Sequence, residues 1–350
     1  MIRRGAGELA PGRRPRSAER ACRALTAAVA AALAGSAVAC SGTLDAGEDH
    51  PHGLLPVDER NPIVIVNDHA YDNWFGEYAV LLANDAGPSL AGIVVNADED
   101  WPDLDANVEG WRGLVEAART SGLSNLPDPI ASIGAPLVRP ASGAIDDTEA
   151  NRSEGARFII DASRRLSLPY RPLVVATGGG LTDVADAYLM DPTVADRVVV
   201  VASLGLLSDT GAQMGIPNGD KDPWAGVIVS ERLRYVQVSA YYSQLGDVTD
   251  TDLSELPANP LGDWIAAKQP NVFEWEPASD QVAVVAVGLP GFVTSVERVS
   301  GSGPIEEGAT EGPSLTIDPD GSDWLVTASA GEVATEALWR LLGAPRAAAR

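Results

Sequence analysis

Asp68, Asp72 and Asn73 stand within six residues of one another, directly after the apolar run Ile63 to Val66. Carboxylates and amide carbonyls are hard oxygen donors, and a cation such as calcium takes six to eight oxygens. Asp68 and Asn73 can supply two of them, leaving Asp72 to face a bound hydroxyl. Asp and Asn also make exposed turns, so the spacing alone leaves a plain loop equally open. A second stretch with chemical character is Thr177 to Asp183, TGGGLTD, where three glycines follow an apolar run and open a helical pattern. Such turns bring backbone close to a ligand, but the P-loop lysine and the dinucleotide glycine spacing are both missing. In isolation it reads as a tight turn. Two carboxylates can hydrolyse a glycosidic bond without metal, yet with 49 acidic residues in the chain such pairs say little. A serine nucleophile needs a positioned histidine, and His69 alone of the three histidines falls inside the expected fold.

These residues need elements to position them. Ile63 to Val66 has the continuous apolar character of a strand buried on both faces, and Trp74 to Ala83 suits a helix packed on it. The alternation repeats. Leu90 to Val95, Ile130 to Ile133, Leu173 to Ala176 and Val198 to Ala202 read as strands. Val108 to Ser121, with Val108, Trp111, Leu114, Val115 and Ala118 on one face, reads as a helix, as do the segments starting at Ser153 and after the glycine turn. Repeated βα units predict one α/β domain with a mainly parallel central sheet flanked by helices. Asp98 to Asp105 and Asp247 to Glu255 read as solvated acidic loops, and Pro140 to Asn151 as a polar one. Beyond Phe292 the pattern turns to Gly- and Pro-rich edge structure, then a last helix, Glu332 to Leu342, and a basic tail.

The first forty residues read as a leader. Seven arginines precede the short apolar run Leu25 to Val38, and Ala37-Val38-Ala39-Cys40 closes it, which resembles a bacterial lipoprotein signal with Cys40 as the lipidated residue. The expected organisation is residues 1–40 as signal, 41–61 as flexible tether and 62–345 as the domain, exported and held at the cell envelope by its lipid. The tether contains His50 and His52, read as solvated. Cys22 lies within the leader, so the domain has no disulfide to form and relies on its hydrophobic core. The chain holds 25 basic and 49 acidic residues; seven Arg and two Glu fall in the leader, leaving 18 against 47, or −29. So negative a surface argues against nucleic acid and against charge-driven membrane binding, leaving the lipid anchor as the only membrane link. The sequence leaves open whether the chain forms a homo-oligomer.

Four stretches in order carry a resemblance. VNDHAYDN, the strand-turn-helix LVVATGGGLTDVADAYLMDPTVADR, the segment Asn218-Gly-Asp-Lys-Asp-Pro-Trp-Ala-Gly and the apolar helix opening at Ser279-Asp280 are similar to the motifs of the inosine-uridine-preferring nucleoside hydrolase family. They span Pro62 to about Phe292. The resemblance implies a calcium ion held by Asp68, Asn73, the Thr177 backbone carbonyl and Asp280, with Asp68 as the general base. It implies ribose contacts from Asp72, Asn96 and Asn218, and hydrolysis of a nucleoside, or a related ribosyl molecule, to base and ribose. The chain also departs from the family's pattern. Val66 replaces its first aspartate, His69-Ala70 a common Pro-Gly, Asn73 a metal-binding aspartate, Ile216 a ribose-binding glutamate, and Ser279 a histidine proposed as leaving-group acid. Tyr241, Tyr242, Trp224 and His69 read as packing or wall residues. The departures support an alternative: a degenerate nucleoside- or sugar-binding lipoprotein.

Overall fold

Apolar runs with few charges become central strands because parallel strands covered by helices are buried on both faces. Ile63–Asn67 (β1), Leu90–Val95 (β2), Leu173–Thr177 (β4) and Val198–Ser203 (β5) are almost wholly inaccessible, and Pro129–Ala131 (β3) is a short outer strand. The remaining strands are Leu207–Ser208 (β6), Arg234–Val238 (β7), Val293–Gly301 (β8), Ser314–Ile317 (β9) and Asp323–Ser329 (β10). The computed structural model describes residues 53–70, 74–208, 218–238, 254–268, 280–303 and 305–344. Among these, the strands form one sheet in the order β3-β2-β1-β4-β5-β7-β10-β8-β9-β6. From β3 to β10 all neighbours are parallel, β8 pairs antiparallel with β10 and β9, and β6 is parallel to β9.

The side-chain period of two splits each strand between two layers. Ile63 and Ile65 face a core shared with the helices Phe75–Leu82 (α1), Leu104–Thr120 (α2), Pro260–Lys268 (α6), Gln281–Gly288 (α7) and Gly331–Leu342 (α8). Val64 and Val66 face Glu154–Leu166 (α3), Thr182–Met190 (α4) and Pro223–Arg232 (α5) on the other side. Polar caps fix where helices begin. Asp103, Ser153 and Asp222 each accept a backbone N–H from three residues on, satisfying a donor that the first turn leaves free.

Two expectations change. The last nine residues of the expected tether, 53–61, are packed: Leu55 and Val57 are buried, and the Asn61 amide donates 2.7 Å to the Pro172 carbonyl. The region read as edge structure contains β8, β9 and β10, and β10 inserts beside β7 to extend the parallel sheet. β8 is half-exposed along most of its length, so its apolar signal is diluted by Thr, Ser, Glu and Arg. No helix among the described residues is long and apolar enough to cross a membrane.

Candidate active site at the switch point of the sheet

β1 runs between β2 and β4, and the chain winds outward from it in both directions. At such a reversal the loops beyond the strand carboxyl ends diverge and leave a crevice. Asp68 leaves β1 at this point with 1% of its surface exposed. Its Oδ1 accepts the His69 N–H at 2.6 Å, and its carbonyl accepts the Trp111 indole N–H at 3.1 Å. Beside it, the Asn67 amide donates to the His69 carbonyl at 3.2 Å, while Asn67 Oδ1 is buried with no partner. Asn96, at the end of β2, donates its N–H to the Asn67 carbonyl at 3.1 Å, and its own Oδ1 is also buried without a partner.

The glycine turn after β4 closes the crevice from the other side. A Cβ on Gly178 would lie 2.8 Å from the Asp280 Cβ and 3.0 Å from Asn67 Oδ1; one on Gly179 would lie 3.4 Å from the Asp68 nitrogen and 3.5 Å from Asn96 Oδ1. Close approach is what requires glycine here. Asp280, at the start of α7, is held by the Asn218 amide at 2.8 Å; the same nitrogen reaches the Gly178 carbonyl at 2.9 Å and the Ser203 carbonyl at 3.1 Å. Asp68, Asn96, Asn218, Asp280 and the turn following Thr177 are thus brought together. The Asn218 donors are engaged within the protein, which leaves only its carbonyl oxygen for a ribose hydroxyl. Asp72, Asn73, Ile216, Ser279, Tyr241, Tyr242 and Cys40 lie outside the described residues. Trp224 packs in the core, its indole N–H on Thr148 at 2.9 Å.

Lys221 is the residue that sequence reasoning missed. Its ammonium hydrogen-bonds Asp98 and stands 3.5 Å from Asp68 Oδ2 and 3.7 Å from Asp100. Asp98, read as part of a solvated loop, is therefore paired, with its side chain only 8% exposed. The local charge explains the titrations. Burial pushes Asp68 up to about 8, with Asp98 and Asp280 adding to the rise and Lys221 opposing it. Burial acts to raise Asp98 as well, but Lys221 outweighs it and holds Asp98 below the usual carboxylate range. Lys221 is lowered by burial and raised more strongly by Asp68 and Asp98, so it stays charged. His69, its ring tilted 56° against Trp101 with centroids 3.9 Å apart, is pushed down to about 3 by burial and by Lys221. It is a neutral imidazole at neutral pH.

A second layer of buried carboxylates fixes the surrounding loops. Asp183 Oδ1 accepts the Ser132 and Ser153 hydroxyls at 2.5 and 2.8 Å; Asp222 Oδ2 accepts the Thr182 hydroxyl at 2.7 Å and the Leu137 N–H at 2.8 Å. Beside Asn96 and Lys221 opens a cavity of about 530 Å3, lined also by Asp98, Ile133, Gly180 and Thr182 but not by Asp68 or Asp280. Ligand pockets commonly measure about 300 to 1,000 Å3.

The donors suit a hard cation in kind. Asp68 and Asp280 are carboxylates, and Asn67 Oδ1 is a buried acceptor that nothing satisfies, beside a glycine cradle that a side chain would fill. Among the described residues no three carboxylate, imidazole or thiolate groups gather as a metal-binding set, so a cation here would need amide and backbone oxygens as well.

A doubly wound sheet with carboxylates and amides converging at its switch point defines an α/β protein with a ligand crevice at the strand ends. No family model and no curated protein matches the chain. Solved structures do. An inosine-guanosine nucleoside hydrolase superposes with a TM-score of 0.60 at 14% identity, covering 81% of this chain and 98% of that one. The plant nucleoside hydrolase PpNRh1 gives 0.58 at 16%, covering 81% and 99%. An inosine-uridine preferring nucleoside hydrolase from Bacillus anthracis gives 0.57 at 15%, covering 80% and 99%. The chain has the nucleoside hydrolase fold.

Proposed function

We propose that the protein hydrolyses the N-glycosidic bond of a nucleoside, with Asp68 as general base. The observation that carries this reading is the convergence of Asp68, Asn96, Asp280 and the glycine turn at the switch point of that fold. The water oxygen adds to the anomeric carbon, the carbon–nitrogen bond breaks with its electron pair going to the base, and Asp68 takes the proton of the water. The His69 N–H fixes Asp68 Oδ1, which leaves Oδ2 facing the crevice. Neutral His69 cannot protonate the leaving base as an imidazolium, so the base acquires its proton elsewhere. Asp68, Asp280, the Thr177 carbonyl and Asn73 are the residues that would hold a calcium ion, with Asn67 Oδ1 as a further oxygen. Bound there, a divalent cation would favour the ionised form of Asp68, which burial otherwise keeps protonated up to about pH 8, and would supply acidification of a water and orientation of the sugar hydroxyls. Asp72, Asn96 and the Asn218 carbonyl belong to the sugar side of this reading.

The leader adds export and lipidation at Cys40, carried by sequence alone and tested by loss of fatty-acid labelling in Cys40→Ala. The second reading, a binding protein for a nucleoside or sugar, is favoured by Lys221, whose ammonium stands 3.5 Å from the Asp68 oxygen that a base would use. One experiment separates the two. The leaderless protein and Asp68→Ala are titrated with calcium by calorimetry, then assayed for reducing sugar with a nucleoside mixture. Calcium uptake and ribose release that both disappear in Asp68→Ala support hydrolysis; tight nucleoside binding without release supports the binding protein. Absence of both sinks either reading.

A further inference from the structure

We propose that Lys221 is a tethered cation that shares Asp68 with the divalent ion and sets how tightly that ion is held; this rests on the calcium reading above. The short helix Asn218–Lys221 that presents it is fixed on three sides. The Asn218 and Gly219 N–H groups donate to the Leu204 and Gly205 carbonyls, Asp220 accepts the Gly312 N–H at 2.7 Å, and Asp222 caps α5. With its backbone pinned, only the four-carbon stem of Lys221 can move. Its side chain is 12% exposed, and its ammonium faces three carboxylates, Asp68, Asp98 and Asp100, with Asp280 adding to the field.

Asp68 Oδ1 is held by the His69 N–H, so Oδ2 is the oxygen that faces both the crevice and Lys221. A calcium ion on Oδ2 would sit about 2.3 to 2.6 Å from it. The ammonium is 3.5 Å from the same oxygen, so the two cations would be near neighbours. Their repulsion is relieved when Lys221 retracts onto Asp98 and Asp100, a movement its stem allows. Without the divalent ion, Lys221 is bonded to Asp98 and stands beside Asp68 and Asp100, tying the three carboxylates together.

The test compares wild type, Lys221→Met and Lys221→Arg. By Coulomb's law, removing one charge about 5 Å from a divalent ion is worth roughly tenfold in affinity even at the dielectric of water. Calorimetry is expected to show calcium binding to Lys221→Met at least about tenfold more tightly than to wild type, with Lys221→Arg close to wild type. In chelator, Lys221→Met is expected to melt below wild type and to recover when calcium is added. In wild type, amine-reactive labelling of Lys221, read by mass spectrometry, is expected to accelerate when calcium binds; this arm stands even if the Met variant does not fold. Equal or weaker calcium binding by a folded Lys221→Met, or labelling indifferent to calcium in a wild type that binds it, overturns the proposal and leaves the calcium reading intact. No calcium binding by wild type or either variant overturns both.

Discussion

Replacing Asn218 by alanine distinguishes a ribose ligand from a structural tie. The Asn218 amide nitrogen lies 2.8 Å from an Asp280 oxygen and 2.9 and 3.1 Å from the Gly178 and Ser203 carbonyls, and the residue is 5% exposed. Two N–H bonds serve three acceptors, so one is shared. A hydrogen bond to a charged group contributes about 1.5 to 3 kcal/mol and a neutral one about 0.5 to 1.5. Asn218→Ala is therefore expected to lower unfolding stability by about 3 kcal/mol. It should also free Asp280 and so weaken cation binding. Urea unfolding followed by tryptophan fluorescence at pH 7 gives the first quantity, and calorimetry the second. Asn218→Asp, which sets a second carboxylate against Asp280, is expected to be at least as destabilising, with the deficit shrinking as calcium is added. A loss below about 1 kcal/mol, accompanied by weaker nucleoside binding, would refute the tie and return Asn218 to the ribose role.

Two further substitutions test other parts of the structure. Burial pushes Asp323 up to about 7, against the opposing Tyr235 N–H at 3.1 Å and the nearby Arg298. The folded form therefore keeps a proton that the unfolded chain loses near 4. This contribution to stability is complete below that pH and is lost as pH rises through about 7. Asp323→Asn should flatten that decline and exceed wild type at pH 8 by up to about 4 kcal/mol; identical pH slopes of the urea midpoints in the two proteins would contradict the assignment. Gly178→Ala should push Asp280 and Asn67 aside, costing about 1 to 3 kcal/mol and most of the cation affinity. Gly179→Ala, whose nearest contact is 3.4 Å, should be milder; calorimetry and thermal melts that rank the two in the reverse order would disprove the close-approach argument.

The part of the fold that could be read from the chain is the part buried on both faces. β1, β2, β4 and β5 are continuous apolar runs because helices cover the sheet on either side, and Ser153 announced α3 because capping chemistry is local. β8 escaped because a half-exposed strand mixes polar and apolar residues, and β10 because its place beside β7 is decided by long-range pairing. The site divides in the same way. Asp68 and Asp280 are expected from motifs at element ends, and Asn96 from the resemblance alone; the structure brings the three side by side. Lys221 lay within one of those motifs, but its role depends on Asp98, 123 residues earlier, and no local pattern reports such a partner. Asn67 stood beside Asp68 without a role, since only the packing shows that its oxygen is left unsatisfied.

The pairing of β6 with β9 and the bond from Gly312 to Asp220 bear on when the crevice can exist at all. The arm that presents Asn218 and Lys221 is moored to residues nearly a hundred positions later, and Asp280 follows Asn218 by more than sixty. On the ribosome, β1 to β5 can pair before the crevice has all its walls, although the face carrying Ile63 and Ile65 still awaits α6, α7 and α8. Contacts so distant in sequence form slowly, after the local ones. A nascent chain stalled before Gly312 would hold only the run β3-β2-β1-β4-β5-β7, with β6 and β8 still lacking their partners β9 and β10 and the Asp220 arm unmoored.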